Sequence, residues 1–151
     1  MEIKNSVDIL CNPEVVFYWL KEPANAMQWM TSVKETEVLH KAPNLIGTIF
    51  REVLAEGNRE PEILGTIIEY KENEKIAFHL ESKFHTVEVC FSIIALQGIS
   101  RLEQQANIRF KGIFKTLAFL FGSILKRKIN KQMQSEFSCL KELCEQKVKN
   151  P

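Results

Sequence analysis

From residue 113 to about 147 the chain has no proline, and apolar or small residues recur at steps of three or four: Ala118, Gly122, Leu125, Ile129, Met133, Phe137, Leu140 and Cys144. That spacing is the period of an α-helix with one apolar stripe. Such a helix constrains the fold more than any other feature, because the segments before it must offer a surface to cover the stripe. A second set, Phe114, Leu117, Phe121 and Ile124, occupies an adjacent face in the first half only. The helix therefore either bends near Gly122-Ser123, a pair that permits a kink, or has its first half buried on two sides.

The preceding segments are mostly β in character. Residues 3–10 alternate, with Ile3, Val7 and Ile9 against Lys4, Ser6 and Asp8, which predicts a half-buried strand. Asn12-Pro13-Glu14 then opens a helix with Val16, Phe17 and Leu20 on one face, and Lys21-Glu22-Pro23 closes it. A second short helix is expected over 24–30. Strands follow at 33–40, 48–55, 63–70, 75–81, 86–96 and 101–110, joined by turns such as Gly57-Asn58 and Gln97-Gly98 that are short enough for hairpins. Alternation points Phe78 and Leu80 inward, then Val87, Val89, Phe91 and Ile93, then Leu102, Gln104, Ala106, Ile108 and Phe110.

A chain of 151 residues suits one domain over 1–151, with roughly 70% of its unfolded surface removed from water on folding. The 45% hydrophobic and 26% charged content excludes disordered and low-complexity classes. Twenty basic residues against 19 acidic ones leave +1, so no global field favours nucleic acid. Cys11, Cys90, Cys139 and Cys144 form no C-x-x-C pair and sit among apolar neighbours, which suits reduced structural thiols. No apolar stretch follows Met1-Glu2-Ile3-Lys4-Asn5, so a cytoplasmic location is expected. The most apolar run, 113–125, is too short to span a bilayer.

The order of strand, two short helices, six-stranded meander and long C-terminal helix resembles the START-like, or helix-grip, superfamily. In detail the sequence is similar to its polyketide cyclase/dehydratase-type branch, through Pro13, Val16, Phe17, Leu20, Glu22, Pro23 and Trp29, with Val33 opening the next strand. Gly47-Thr48 resembles the glycine that begins the family's third strand, and Gly98-Ile99-Ser100-Arg101 its last turn, with Ile99 and Ser100 where small and threonine residues are usual. The resemblance covers essentially the whole chain. It implies an α+β fold, shared with Bet v 1-like proteins, in which a curved sheet grips the long helix around an apolar cavity. It also implies a hydrophobic small molecule or lipid as partner. It does not imply catalysis, since many relatives only bind or carry.

No residue set names a reaction. G-x-S-x-G, H-E-x-x-H and a Gly-rich phosphate loop are all missing from the sequence, so no catalytic residue, metal ligand or cofactor is assigned. His79, Glu81 and His85 would make a small cluster, but an inward Phe78 and Leu80 turn His79 and Glu81 outward. The cavity candidates are Trp29, Tyr70, Phe78, Phe91 and Gln104, together with Ala118, Phe121, Gly122 and Leu125 on the first half of the helix. Gln104 either satisfies backbone or faces a ligand. Trp29, in the segment that closes the cavity in the resembling family, either plugs the core or touches ligand. Ile67-Ile68 leaves the parity of Tyr70 open, and Arg51-Glu52 raises the same question.

From Lys111 onward nine basic residues stand against three acidic ones. Lys126-Arg127-Lys128 and Lys131 follow directly on the apolar half of the helix. That juxtaposition suits either a peripheral membrane contact, or packing on neighbouring elements or a second subunit with the lysines solvating the helix. Binding of a hydrophobic small molecule or lipid is therefore the expected function. A cyclase/dehydratase-like enzyme and a protein-interaction module of the same fold are the alternatives.

Overall fold

A computed structural model describes residues 1–149. The chain runs β1 (Glu2–Ile9), α1 (Pro13–Lys21), α2 (Pro23–Trp29), β2 (Val33–His40), β3 (Ile49–Leu54), β4 (Glu62–Lys71), β5 (Lys75–Glu81), β6 (His85–Leu96), β7 (Ile99–Phe110) and α3 (Ile113–Lys149). All seven strands form one antiparallel sheet in the order β1-β7-β6-β5-β4-β3-β2. The α+β class and the order of elements are those expected from the sequence. The meander β2 to β7 is continuous, and β1 pairs with the otherwise open edge of β7.

Local chemistry explains the joints. Pro13 and Pro23 each stand in the first turn of a helix, where a missing N–H costs no hydrogen bond. Pro23 also prevents α1 from running on, so α2 sets off in a new direction. The β6–β7 hairpin turns through Gly98 at φ +69, a conformation that other residues adopt only with strain.

The concave face of the sheet holds the core. Ile3 and Ile9 of β1, Val16 and Phe17 of α1, Ile67, Ile76 and Leu102 of the sheet, and Leu140 and Cys144 of α3 are buried together. The buried Ser100 hydroxyl donates to the Cys11 carbonyl at 2.7 Å, fixing the link between β1 and α1 onto β7.

The long helix bends, as one of the two sequence alternatives required. The break falls at Phe121 (φ −119, ψ 18), directly before Gly122. Beyond it, Phe137, Leu140 and Cys144 are buried under the sheet and α1. Before it, Phe114 packs on Phe84 of the β5–β6 turn with ring centroids 4.7 Å apart, while Ile113, Leu117, Phe119 and Leu120, with Phe121 at the break and Ile124 just after it, are exposed. Burial of the first half on two sides is thereby excluded. No helix among the described residues is long and apolar enough to cross a membrane.

Candidate ligand cavity

Between the sheet, the α1–α2 pair and the middle of α3 lies a cavity of about 200 Å³. Its floor is the inward phase of β3, β5, β6 and β7, including Phe50, Phe78, Val89, Phe91, Gln104 and Ala106. Trp19, Leu20, Pro23, Ala26, Trp29 and Met30 form one wall, and Ile129 and Met133 of α3 the other. The rings are held edge to face: Phe50 against Phe78 at 5.8 Å and 89°, and Trp29 against Phe91 at 6.3 Å and 86°. Such pairs hold the wall in one arrangement. Trp29 donates its indole N–H to the Trp19 carbonyl at 3.1 Å, which satisfies its polar end and leaves the ring as an apolar surface. It is packed as a plug and lines the cavity at once.

Four of the residues named from the sequence, Trp29, Phe78, Phe91 and Gln104, line this space. Gln104 is buried, and its Oε1 accepts from Asn5 Nδ2 at 3.2 Å, while the same nitrogen also donates to Asn130 Oδ1 at 3.3 Å. Its pairing is thus with a side chain of β1 rather than with backbone, and its own amide nitrogen donates no hydrogen bond among the described residues.

The other five lie elsewhere. Tyr70 is half-buried: the register shift between Ile67 and Glu69 turns it onto the inward face opposite Ile76, but there it packs on Phe17 of α1 at 5.5 Å, beyond the cavity. Ala118, Phe121, Gly122 and Leu125 sit in the first third of α3, around the break at Phe121, and do not line the cavity. A side chain added at Gly122 would meet Met1 at 3.9 Å rather than any cavity residue. The cavity contacts of α3 come one to three turns later, at Ile129 and Met133.

A residue the sequence left undecided proves to be the most unusual in the cavity. Glu52 of β3 is 7% exposed, shares the inward phase of Phe50 and lines the cavity. No cation meets it. Its neighbour Arg51 points to the opposite face, where Glu62, Glu37 and Glu35 hold the guanidinium at 2.9, 3.2 and 3.8 Å. Burial, reinforced by the nearby carboxylate of Glu136, pushes the Glu52 carboxyl up to about 7. Glu136 itself is buried on α3 and accepts from Ser32 Oγ at 3.1 Å and Gln132 Nε2 at 3.0 Å. Thr36 stands opposite Glu52 in the β2–β3 register, and its buried Oγ1 has no hydrogen-bond partner among the described residues. The signal in the sequence was the two-residue step from Phe50, blurred by the buried Val53 that follows.

On the outer face His79 Nδ1 lies 3.9 Å from Glu88, not in a cluster with His85, which turns to Ser82 Oγ at 3.0 Å. Among the described residues no group of three His, Cys, Asp or Glu is placed to hold a metal ion.

A seven-stranded antiparallel sheet curved around a long C-terminal helix, with two short helices after the first strand and an apolar space between, is the START-like, helix-grip fold. No family model and no curated protein matches the sequence. Solved structures do match. One from Thermus thermophilus superposes with a TM-score of 0.80 at 16% identity, covering 95% of this chain and 97% of that one. A START superfamily protein from Mycobacterium smegmatis gives 0.78 at 15%, covering 96% and 97%. The Zhui aromatase/cyclase from a Streptomyces species gives 0.81 at 10%, covering 98% and 95%.

Proposed function

We propose that this chain, as a single domain, binds a hydrophobic small molecule between the sheet and the middle of α3. The supporting observation is the cavity itself, about 200 Å³ with walls of aromatic and aliphatic side chains. An apolar space of roughly 150 Å³ is enough to take up benzene, so this one suits a ligand part of one or two fused rings. Cyclisation or dehydration chemistry has less support, because the cavity presents Glu52 without a paired base. A buried carboxyl near neutrality can move a proton, but the geometry gives it no relay.

Naphthalene titrated calorimetrically tests the reading. Ala106, small and inward on β7, lines the cavity, so Ala106→Leu should weaken naphthalene binding about tenfold or more by filling it. Gly122→Leu should leave binding unchanged. If neither wild type nor variant takes up naphthalene, the cavity is not a binding site.

A second contact is favoured by the exposed half of α3. Ile113, Leu117, Leu120 and Ile124 follow one another at steps of three or four, are 70%, 43%, 64% and 65% exposed, and the same spacing continues to Arg127, Lys128 and Lys131. Residues 113–131 contain no aspartate or glutamate, so a second copy of this face brings nothing to meet those bases. An anionic membrane surface complements both parts of the stripe. With roughly 1 kcal/mol for each basic residue near such a surface, changing Lys126, Arg127 and Lys128 together to Gln should weaken binding to phosphatidylglycerol vesicles about 100-fold at low salt. Thermal stability should not change. Absence of wild-type co-sedimentation, with a concentration-dependent dimer instead, would overturn this and assign the stripe to a homodimer.

A further inference from the structure

We infer that Glu52 is a recognition group for a hydrogen-bond donor on the ligand, and that the cavity takes hydrophobic molecules carrying a hydroxyl or amine and rejects those carrying a carboxylate. The inference rests on the binding reading above and gives it a chemical class.

Three observations carry it. First, Glu52 is buried in the cavity wall and makes no hydrogen bond among the described residues, although a buried carboxyl forgoes strong interactions when left alone. Second, Thr36 Oγ1, directly opposite in register, is also buried without a partner among the described residues. Glu52 therefore faces the cavity with unused hydrogen-bonding capacity, and the polar group beside it on β2 does not take that capacity up.

Third, the ionisable groups that line the cavity are Glu22 and Glu52, and Glu136 stands close behind. No lysine, arginine or histidine is among the cavity residues. A ligand carboxylate would enter an entirely acidic environment, where like charges repel at low dielectric. A hydroxyl or amine meets an acceptor there. Gln104 of β7, held by Asn5 of β1, supplies a second polar point whose amide nitrogen is uncommitted among the described residues. The favoured molecule is thus a ring system with a donor at the β3 end and an acceptor toward β7.

Calorimetric titration with naphthalene, a naphthol and the matching naphthoate separates the terms. Wild type should bind the naphthol about tenfold tighter than naphthalene, the value of one well-placed hydrogen bond, and the naphthoate most weakly. Glu52→Leu should bind naphthalene at least as well as wild type and lose the preference for naphthol. Glu52→Gln, which keeps an acceptor in the same place, should retain most of it. Equal naphthol affinity in wild type and Glu52→Leu, with naphthalene still bound, would overturn the role of Glu52 and leave the cavity reading intact. Failure of all three compounds to bind any of the proteins would overturn both.

Discussion

Glu52→Gln should raise the stability of the protein by about 3 kcal/mol at pH 8 and leave it unchanged near pH 4. The carboxyl titrates near 4.5 in the unfolded chain and at about 7 in the folded one. Between those values the folded state holds a proton that the unfolded state has lost, so wild-type stability falls as pH rises through this window. Above 7 both states are ionised, and the full cost of a buried charge is present. At 1.36 kcal/mol per unit, the displacement corresponds to about 3 kcal/mol. Glutamine has nearly the same shape and no charge to bury, so its stability should be flat where wild type declines. The nearby carboxylate of Glu136 on α3 repels Glu52 only when Glu52 is ionised, so that repulsion belongs to the same gap and is removed with the charge in Glu52→Gln. Urea unfolding at pH 4, 6 and 8 measures the difference. A gap between the two proteins that does not grow from pH 4 to pH 8 would mean that Glu52 is ionised without penalty in the fold.

The sequence disclosed the walls of this cavity better than its polar end. Along β7, Leu102, Gln104, Ala106 and Ile108 alternate with Glu103, Gln105 and Asn107, and one packed face makes that alternation unambiguous. The same holds for Val89 and Phe91 on β6. On β3 the run Phe50-Arg51-Glu52-Val53 places two charges side by side and follows them with a residue that is also buried, so period two is blurred where it matters most. Burial of Glu52 is set by Phe50 before it and by the three glutamates that draw Arg51 outward, all of them on other strands or turns except Phe50. The inward parity of Tyr70, which packs on Phe17, was hidden for a related reason. A bulge is a property of strand pairing, and nothing local to Ile67-Ile68-Glu69 announces that the phase shifts there.

The first half of α3 teaches a different lesson. Its apolar residues state that the helix needs cover, and the bend was legible in Gly122-Ser123 to within two residues. Whether the rest of the chain supplies that cover depends on where the sheet ends. Here the packing surface serves the half beyond Phe121, with Phe137 and Leu140 buried and Phe119 88% exposed. Gly122, one of the cavity candidates, instead lies where the helix passes Met1, just before β1.

Gly65→Ala should destabilise the protein by about 2–3 kcal/mol and abolish naphthalene binding, although alanine ordinarily suits a strand better than glycine. Gly65 lies on the inward face of β4, opposite Phe50 in register, and the Phe50 ring rests on it. A Cβ there would stand 2.2 Å from Phe50 Cζ and 2.5 and 2.7 Å from its Cε atoms, so the ring has to move. It is flanked on one side by Phe78, edge on at 5.8 Å, and on another by the cavity it lines. The void is the direction of least resistance, and overpacking of this kind typically costs 1–3 kcal/mol. Displacement into the cavity would couple two effects that are usually separate, loss of stability and loss of ligand space. Because Gly65 is not in a left-handed conformation, the backbone accepts alanine and the ring contact is the main cost. Phe50→Leu combined with Gly65→Ala should therefore recover most of the stability and restore naphthalene uptake. A single Gly65→Ala variant as stable as wild type, with naphthalene affinity unchanged, would show that Phe50 does not depend on the bare backbone of Gly65 and that this wall of the cavity is soft.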